Sequence, residues 1–373
     1  MRSNGIKIGK IFGIEIFIDY SWFFVFVLIT WLLATKFYPT FNPNSSLWLN
    51  LFLGLITSLL FFSSTLIHEL AHSVIANGNG LKVNKITLFL FGGIAELFEE
   101  PLNAKVEFKV AIAGPLTSIF LALLFFLAYL FIKDNAYLLS LILLTSTLAQ
   151  INLLLAIFNL LPGFPLDGGR ILRSIIWSIN KDLKESTRIA TVAGRAVSLA
   201  IIFTGVLRVI TTDFFGGIWL VLIGLFLYQA AGQSYLELLI RTALEKVRVG
   251  EIMNKNIITV SPFLTVNDLI EEYFLKYNYT ALPVVVDNAV VGIVSLDDVR
   301  GNAEEMDETT RVHEVMKRFE TNIFLSKEDE VLQALKKMIA SKINFVSVRD
   351  NDRLVGILTI DDIAKYLSDK KVI

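Results

Sequence analysis

Residues 59–72 read LLFFSSTLIHELAH, an apolar stretch that ends in two histidines and a glutamate. On an α-helix, residues four positions apart lie on one face, so His68 and His72 can bind one metal ion together. Glu69 lies beside them and can activate a water molecule. Ionisable side chains at membrane depth are costly and usually functional. The stretch therefore predicts a membrane-spanning helix with a metal site; the alternative is a buried polar cluster that pairs with neighbouring helices.

The apolar character of this stretch extends over most of the 373-residue chain. The sequence is 54% hydrophobic and 18% charged, whereas soluble proteins carry roughly 25% charged residues. Residues 241–373 hold 40 of the 69 acidic and basic side chains, and all five Trp lie before residue 241. We therefore predict a membrane domain, residues 1–240, followed by a soluble part.

The membrane part contains six segments that reach the length of about 20 apolar residues needed to cross a bilayer. They are residues 20–36, 48–77, 109–132, 136–161, 189–210 and 215–236. Within the membrane part, the N-terminus and the loops after the second and fourth segments hold most of the Lys and Arg residues, which favours a cytoplasmic position for them. The chain is thus predicted to be a polytopic helical protein of the cell membrane. Its N-terminus, which does not resemble a cleavable signal peptide, and its soluble part are predicted to be cytoplasmic.

The loop after the second segment has the composition of β-strands. Residues 81–90 are rich in apolar and β-branched side chains, Gly92-Gly93 favour a turn, and residues 94–98 continue the pattern. This predicts a small membrane-associated β-hairpin over residues 81–98. An ordinary structured loop is the alternative.

A catalytic zinc ion usually has three protein ligands and one open position. The chain has no cysteine, and the third histidine, His313, lies in the charged part, where we expect it at the surface. The third ligand should therefore be a carboxylate. Asp167 is the outstanding candidate, because it follows Pro162 and Pro165, which must interrupt the fourth helix. Asp167 could also act as the N-cap of a helix over residues 168–177.

Together these motifs resemble the site-2 protease family of intramembrane zinc metalloproteases. The resemblance rests on His-Glu-x-x-His at 68–72, on Asn-x-x-Pro-x-x-Pro-x-Asp-Gly at 159–168 and on Gly92-Gly93 between them. It implies that His68, His72 and Asp167 bind zinc and that Glu69 is the catalytic acid and base. Asn159 occupies the family's asparagine position, which implies a supporting role in substrate or oxyanion binding. Residues 113–115, Ala-Gly-Pro, also resemble a family segment and predict close helix packing.

The implied reaction is hydrolysis of a peptide bond in a transmembrane protein substrate within the lipid bilayer. We expect the hairpin at 81–98 to offer a strand edge to an extended substrate, with Gly92 and Gly93 allowing close backbone approach. The alternative function is a metal-ion or proton transporter or channel, because intramembrane His and Asp residues also move ions. Glu69 argues against it, since a carrier does not need a non-ligand carboxylate between two ligands.

The soluble part contains one pattern twice, in residues 247–304 and 311–368, and each copy reads as a small α/β unit. The copies resemble a tandem pair of CBS (cystathionine β-synthase) domains. The resemblance implies adenine-nucleotide binding (ATP, ADP or AMP), regulation of proteolysis and a homodimer through the CBS pair. The second copy lacks the Leu-Pro of the first. The net charge of −1 does not favour nucleic-acid binding. The implied nucleotide contacts, each of which also fits an N-cap, are Ser295, Asp298, Thr359 and Asp362.

Overall fold

The computed structural model describes residues 5–89, 92–97, 103–255, 258–276, 281–286, 289–301, 306–307, 309–318, 324–341, 343–350 and 353–372. The chain divides into two units, residues 2–237 and 238–373. Each unit is described separately below.

Helices dominate the first unit. The described residues contain six helices long and apolar enough to cross a membrane, which confirms the predicted fold class. A shorter helix, α5, follows the fourth span. The N-termini of four of the spans, α1, α2, α3 and α6, are capped by the side chains of Asp19, Ser46, Asn103 and Asp182, respectively. The helices are α1 (Tyr20–Phe41), α2 (Leu47–Gly78), α3 (Ala104–Ile132), α4 (Leu139–Asn159), α5 (Asp167–Asn180), α6 (Leu183–Thr211) and α7 (Phe214–Leu244).

Several helices extend beyond the predicted apolar segments. The predicted segments end at the first polar residues, whereas a helix can continue through polar residues. The helix α3 starts at Ala104 rather than at residue 109, and its first turns carry Glu107. The helix α4 ends two residues earlier than predicted, at Asn159. Pro162 and Pro165 follow directly and prevent it from continuing. The chain between α4 and α5 is therefore irregular.

A four-stranded sheet packs against the second half of α2. Its order is β1 (Gly5–Ile11), β2 (Ile14–Asp19), β3 (Val83–Phe89) and β4 (Gly92–Leu97), with β2 and β3 parallel and the other pairs antiparallel. The hairpin at 81–98 is thus present in β3 and β4, and residues 90–91 and 98 lie outside the described residues. The predicted turn at Gly92-Gly93 was wrong: both glycines are paired in β4, with Phe89 and Leu88 of β3 as their partners. The N-terminal hairpin was not predicted. Phe12 and Gly13, at φ +51° and +82°, form its turn.

The inner face of this sheet supplies much of the packing around the lower part of α2. Ile14 and Ile86 are fully buried and contact Leu70. Ile18 and Leu88 pack with Trp22 and Phe62 in a neighbouring cluster. The sheet thereby fixes β4 beside the helical turn that carries Glu69.

The second unit contains two three-stranded sheets. The first combines β5 (Ala281–Val286), β6 (Ala289–Ser295) and β7 (Lys317–Arg318). The second combines β8 (Phe324–Ser326), β9 (Phe345–Asp350) and β10 (Arg353–Thr359). The helices of this unit are α8 (Val249–Ile252), α9 (Val266–Asp268, continued by a π-helix to Leu275), α10 (Leu296–Gly301), α11 (Val312–Val315), α12 (Val331–Ser341) and α13 (Ile360–Asp369).

The two sequence repeats exchange their N-terminal segments. The strand β7, at the start of the second repeat, pairs with β6 of the first. Conversely, the N–H of Val249 in the first repeat donates to the carbonyl of Asp329 in the second, at 2.9 Å. Val249 is buried in the core of the second sheet, and Val312 in that of the first. Each packing unit is therefore built from both repeats.

His313 differs from the prediction of a surface position. Its side chain is half-buried, and its Nδ1 lies 3.1 Å from the carbonyl oxygen of Pro262. Its backbone N–H donates to the same oxygen. The exchange of segments explains this position, because it inserts α11 into the first core.

Candidate metal centre

Three predicted ligand side chains converge inside the membrane unit. His68 and His72 on α2 are 2% and 6% exposed, and their Nε2 atoms lie 3.2 Å apart. The Oδ2 atom of Asp167 lies 3.1 Å from each of these nitrogens. Asp167 is the first residue of α5, and the N-cap is Leu166. The N-cap interpretation of Asp167 was therefore wrong: its carboxylate is directed at the imidazoles.

Residues of helix α3 contact the Nδ1 atoms of both imidazoles, on the side away from the centre of the cluster. The Oγ of Ser118 lies 2.9 Å from Nδ1 of His68, and the carbonyl oxygen of Val110 lies 2.6 Å from Nδ1 of His72. A carbonyl oxygen can only accept a hydrogen bond, so Nδ1 of His72 carries the proton. Its Nε2 then presents a lone pair to the centre of the cluster. Such partners of the distal nitrogen are typical of metal-binding histidines.

Gly114 on the same helix makes this approach possible. A methyl group at this position would collide with Nε2 of both histidines. The sequence predicted close helix packing at residues 113–115. At Gly114 the close contact is with the imidazole rings of His68 and His72. Val110, Gly114 and Ser118 are spaced by four residues, so one face of α3 contacts the whole cluster.

The donor set fits a zinc ion. Two imidazole nitrogens and one carboxylate oxygen match a catalytic zinc site that keeps one position open. Zinc–ligand bonds of about 2.0–2.1 Å in a tetrahedron place neighbouring ligand atoms about 3.3 Å apart, close to the distances of 3.1–3.2 Å found here. The lone pair of His72 Nε2 faces Oδ2 of Asp167 at 3.1 Å, an arrangement that a bound cation would stabilise.

Glu69 lies next to the cluster at the wall of a cavity of about 680 Å³. Gly93 of β4 contacts it so closely that a Cβ atom at this position would collide with Cγ of Glu69. The close backbone approach expected at Gly93 is present in this structure toward Glu69; its role toward a substrate stays a prediction. The cavity is lined by His68, Glu69, His72, Asn159, Asp167 and Arg170, together with apolar residues and the polar residues Thr65, Ser73 and Gln233.

Asn159 is the last residue of α4 and lines the same cavity. The structure thus brings together His68, His72, Asp167, Glu69 and Asn159. Sequence reasoning missed Arg170, the Val110 carbonyl and Ser118. The spacing of Ser118 from Gly114 could have indicated it, because the two share a helix face. A backbone carbonyl leaves no such signal.

The four residues predicted to contact a nucleotide lie in the second unit, in two local motifs of the same geometry. Asp298 Oδ2 accepts hydrogen bonds from the N–H and Oγ of Ser295, at 3.1 and 2.5 Å. Asp362 Oδ2 accepts the equivalent bonds from Thr359, at 2.9 and 2.7 Å. Each hydroxyl in turn accepts the N–H of its aspartate. These are reciprocal caps of α10 and α13, as the N-cap interpretation predicts.

The motifs differ at the second carboxylate oxygen. Oδ1 of Asp298 lies 2.5 Å from Nζ of Lys317 on β7. Burial favours the neutral form of Asp298, but the Lys317 ammonium and the donors of Ser295 outweigh it and lower its pKa below the ordinary carboxyl value. Lys317 reaches Asp298 because the repeats exchange segments.

Comparisons with known proteins agree with both sets of motifs. Peptidase family M50 matches residues 56–143 and 133–205, and the CBS domain matches residues 249–305 and 312–369. Rip3 of Mycobacterium tuberculosis is 32% identical over 98% of this chain and 93% of its own length. Zinc metalloprotease MJ0392 of Methanocaldococcus jannaschii is 31% identical over 97% of this chain and 96% of its own length. The solved site-2 protease of that organism is 32% identical, with 62% of this chain and 95% of the other covered and a TM-score of 0.43.

Proposed function

The chain belongs to peptidase family M50, the site-2 protease family of intramembrane metalloproteases, and from this premise we propose a role for each residue of the centre. His68, His72 and Asp167 hold one zinc ion. Glu69 is the catalytic acid and base, and Asn159 supports the substrate or the oxyanion. The observation that carries this proposal is the convergence of the three ligand atoms at 3.1–3.2 Å beside Glu69.

Zinc, when bound, supplies Lewis acidity that polarises the scissile carbonyl and lowers the pKa of a water molecule. The Glu69 carboxylate accepts a proton from this water and later returns it to the leaving amine. Asn159, at the end of α4, can donate hydrogen bonds from its amide to the developing oxyanion. The cavity beside these groups gives water and an unwound peptide room to enter.

A transporter was the competing function. Family membership favours the protease, and the position of Glu69 agrees with it. Glu69 faces the cavity beside the cluster without being one of the three converging ligands. An acid at this place serves proton transfer during hydrolysis.

The decisive experiment uses purified full-length protein in detergent and its Glu69→Gln variant. Bound zinc and cleavage of a tagged single-span test protein are measured in parallel. We expect both proteins to bind about one zinc ion and only the parent to cleave, with cleavage lost on chelation and restored by zinc. Cleavage by Glu69→Gln at the parental rate would contradict the role of Glu69. Absence of zinc from both proteins would contradict the metal centre.

We propose that the substrate is a transmembrane protein that adds its unwound segment as a strand to β4. In the described residues β4 pairs with β3 on one side and ends the sheet on the other. Backbone groups at such an edge are available to an extended peptide. The contact between Gly93 and Glu69 supports this proposal, because it places the edge beside the catalytic carboxylate.

We further propose that the CBS pair binds an adenine nucleotide and regulates cleavage. The CBS match and the Ser295–Asp298 and Thr359–Asp362 motifs support this proposal. Lys317 already binds Asp298, so we expect the Asp362 motif to bind the ribose more tightly. Titration of full-length protein with ATP, ADP and AMP tests this: Asp362→Asn should weaken binding more than Asp298→Asn. Equal affinities of the two variants would contradict the asymmetry, and no binding of any of the three to the parent would contradict nucleotide regulation.

A further inference from the structure

Glu107 and Arg173 form an ion pair inside the membrane unit, away from the ligands. Glu107 is 0% exposed and Arg173 is 8% exposed. Nε of Arg173 donates to Oε1 of Glu107 at 2.6 Å, and Nη2 contacts the same oxygen. Neither residue is among the described residues that line the cavity. The pair therefore has no direct part in the proposed reaction.

A buried ion pair such as this one contributes little net stability, because desolvation of the two charges opposes their attraction. Removing two charges from water opposes folding, so a buried ion pair often stabilises a protein no more than two apolar side chains do. Oε2 of Glu107 is also buried and has no hydrogen-bond partner among the described residues. A function in fixing geometry explains the pair better than a contribution to stability does.

The pair connects the two helices on which the metal centre depends. Arg173 lies six residues beyond Asp167 on α5. Glu107 lies on α3, one turn before Val110, whose carbonyl orients His72. One side of the pair thus belongs to the helix that carries the aspartate ligand. The other belongs to the helix that orients the histidine ligands.

The start of α5 needs such a connection. The irregular segment with Pro162 and Pro165 separates it from α4, so helix continuity does not fix its position. Arg173 also places its guanidinium 5.0 Å from the ring centroid of Phe164 in this segment. One side chain therefore contacts α3 through an ion pair and the preceding loop through a cation–π interaction.

We propose that Glu107 and Arg173 are positioning residues that set the register of α5 on α3 and thereby place Asp167 Oδ2 between the two imidazoles. This inference rests on the proposed metal centre. The planar guanidinium of Arg173 contacts Glu107 through two N–H groups and so fixes the orientation of the pair. A lysine at this position keeps the charge but not this geometry, so it should restore the zinc affinity only in part.

The test uses the full-length Glu107→Leu/Arg173→Met variant, in which the apolar pair should permit folding. Zinc affinity is measured by chelator competition, ligand geometry by the visible absorption of the Co²⁺-substituted protein, and cleavage by kcat and KM at saturating zinc. We expect zinc affinity to fall on the order of tenfold, as for loss of other groups that orient metal ligands. The Co²⁺ spectrum should change and kcat should fall, with KM close to that of the parent.

The exposed Glu185–Arg188 pair on α6 supplies the matched control. The Glu185→Gln/Arg188→Gln variant should keep the parental zinc affinity and spectrum. Arg173→Lys retains the charge and should give a zinc affinity between those of the parent and the double variant. Parental zinc affinity and spectrum in either Arg173→Lys or the double variant would overturn the positioning role. A parent that binds no zinc would overturn the metal centre instead.

Discussion

Two glycines set the distances between backbone and reactive side chains at the centre, and they serve different groups. Gly114 on α3 lies against Nε2 of His68 and His72, whereas Gly93 on β4 lies against Cγ of Glu69. A single added methyl group at each position should therefore disturb either the proposed metal ligands or the proposed acid and base, Glu69. The two substitutions separate metal binding from proton transfer.

We expect Gly114→Ala to weaken zinc binding by tenfold or more, because the new Cβ displaces both imidazoles. Chelator competition on the purified protein measures the effect. Gly78→Ala is the matched control: Gly78 is also helical, and among the described residues no heavy atom outside its own helix lies within 4 Å of a Cβ built there. Equal zinc affinities in the two variants would show that the histidines do not depend on this contact.

We expect Gly93→Ala to keep about one zinc ion per chain and to lose cleavage. The added methyl group collides with Cγ of Glu69 and moves its carboxylate, and the three described heavy atoms nearest to it all belong to Glu69. A misplaced acid or base typically costs 10²–10⁴-fold in rate. The measurement is kcat with the single-span test protein, alongside bound zinc. A variant with parental kcat would contradict the placement of Glu69.

Asp298 predicts a pH dependence in the second unit. Burial raises its pKa, but Lys317 and Ser295 lower it more, so its pKa is below the ordinary carboxyl value. The ionised form therefore stabilises the folded state above about pH 4, and this contribution is lost as pH falls through the lower, folded-state pKa.

The test compares the parent with Asp298→Asn by pulse proteolysis in urea, which detects unfolding of the second unit in the full chain. The difference between their urea midpoints should be largest near neutral pH and shrink below about pH 4. Asp297→Asn is the control, because Asp297 is exposed and adjacent. A difference that persists unchanged to pH 2 would contradict the ionic contribution.

Elements differ in how well the sequence predicts them. The six spans follow from length and apolar content alone, since a bilayer imposes both. The N-terminal hairpin was not predicted, although Ile14, Ile16 and Ile18 alternate along β2. The register shift between Lys7 and Gly9 breaks the alternation in β1 alone. The position of α3 against the histidines depends on tertiary packing, and only Gly114 hints at it.

The strand β4 carries the proposal for substrate binding. Adjacent residues in a strand direct their N–H groups to opposite sides, so Ile94→Pro and Ala95→Pro remove donors from different sides. One variant loses a bond to β3; the other loses a donor at the open edge. The edge variant should bind zinc normally and show a KM raised about fivefold, the equivalent of one hydrogen bond of about 1 kcal/mol.

Each proline variant is the control for the other. The variant that breaks pairing with β3 should lose thermal stability, which identifies the remaining one as the edge variant. Unchanged kcat/KM in the edge variant would contradict strand addition at β4 and leave the metal centre untouched.

At the scale of the whole molecule, a sequence repeat is not the same as a packing unit. The spacing of motifs indicates two copies, at 247–304 and 311–368, and the CBS matches agree with two. Each sheet nevertheless takes a segment from the other copy, through β7 in one case and Val249 in the other. Single-sequence reasoning cannot find this exchange, because apolar residues such as Val249 and Val312 fit either core. Its consequence is the Lys317–Asp298 contact, which makes two similar motifs chemically different.

The six spans also predict which side of the membrane each loop occupies. The six spans of the described residues return the chain to the side of its N-terminus, and the bias of Lys and Arg predicts that this side is the cytoplasm. Lys184 at the start of α6 should then face the cytoplasm, whereas Lys133 at the end of α3 should face outward. Both side chains are exposed.

Because the chain has no cysteine, a single introduced cysteine can report each position without background. In intact cells an impermeant maleimide should label Lys133→Cys and not Lys184→Cys, and permeabilisation should make both react. The reverse pattern would invert the orientation and place the second unit outside the cell.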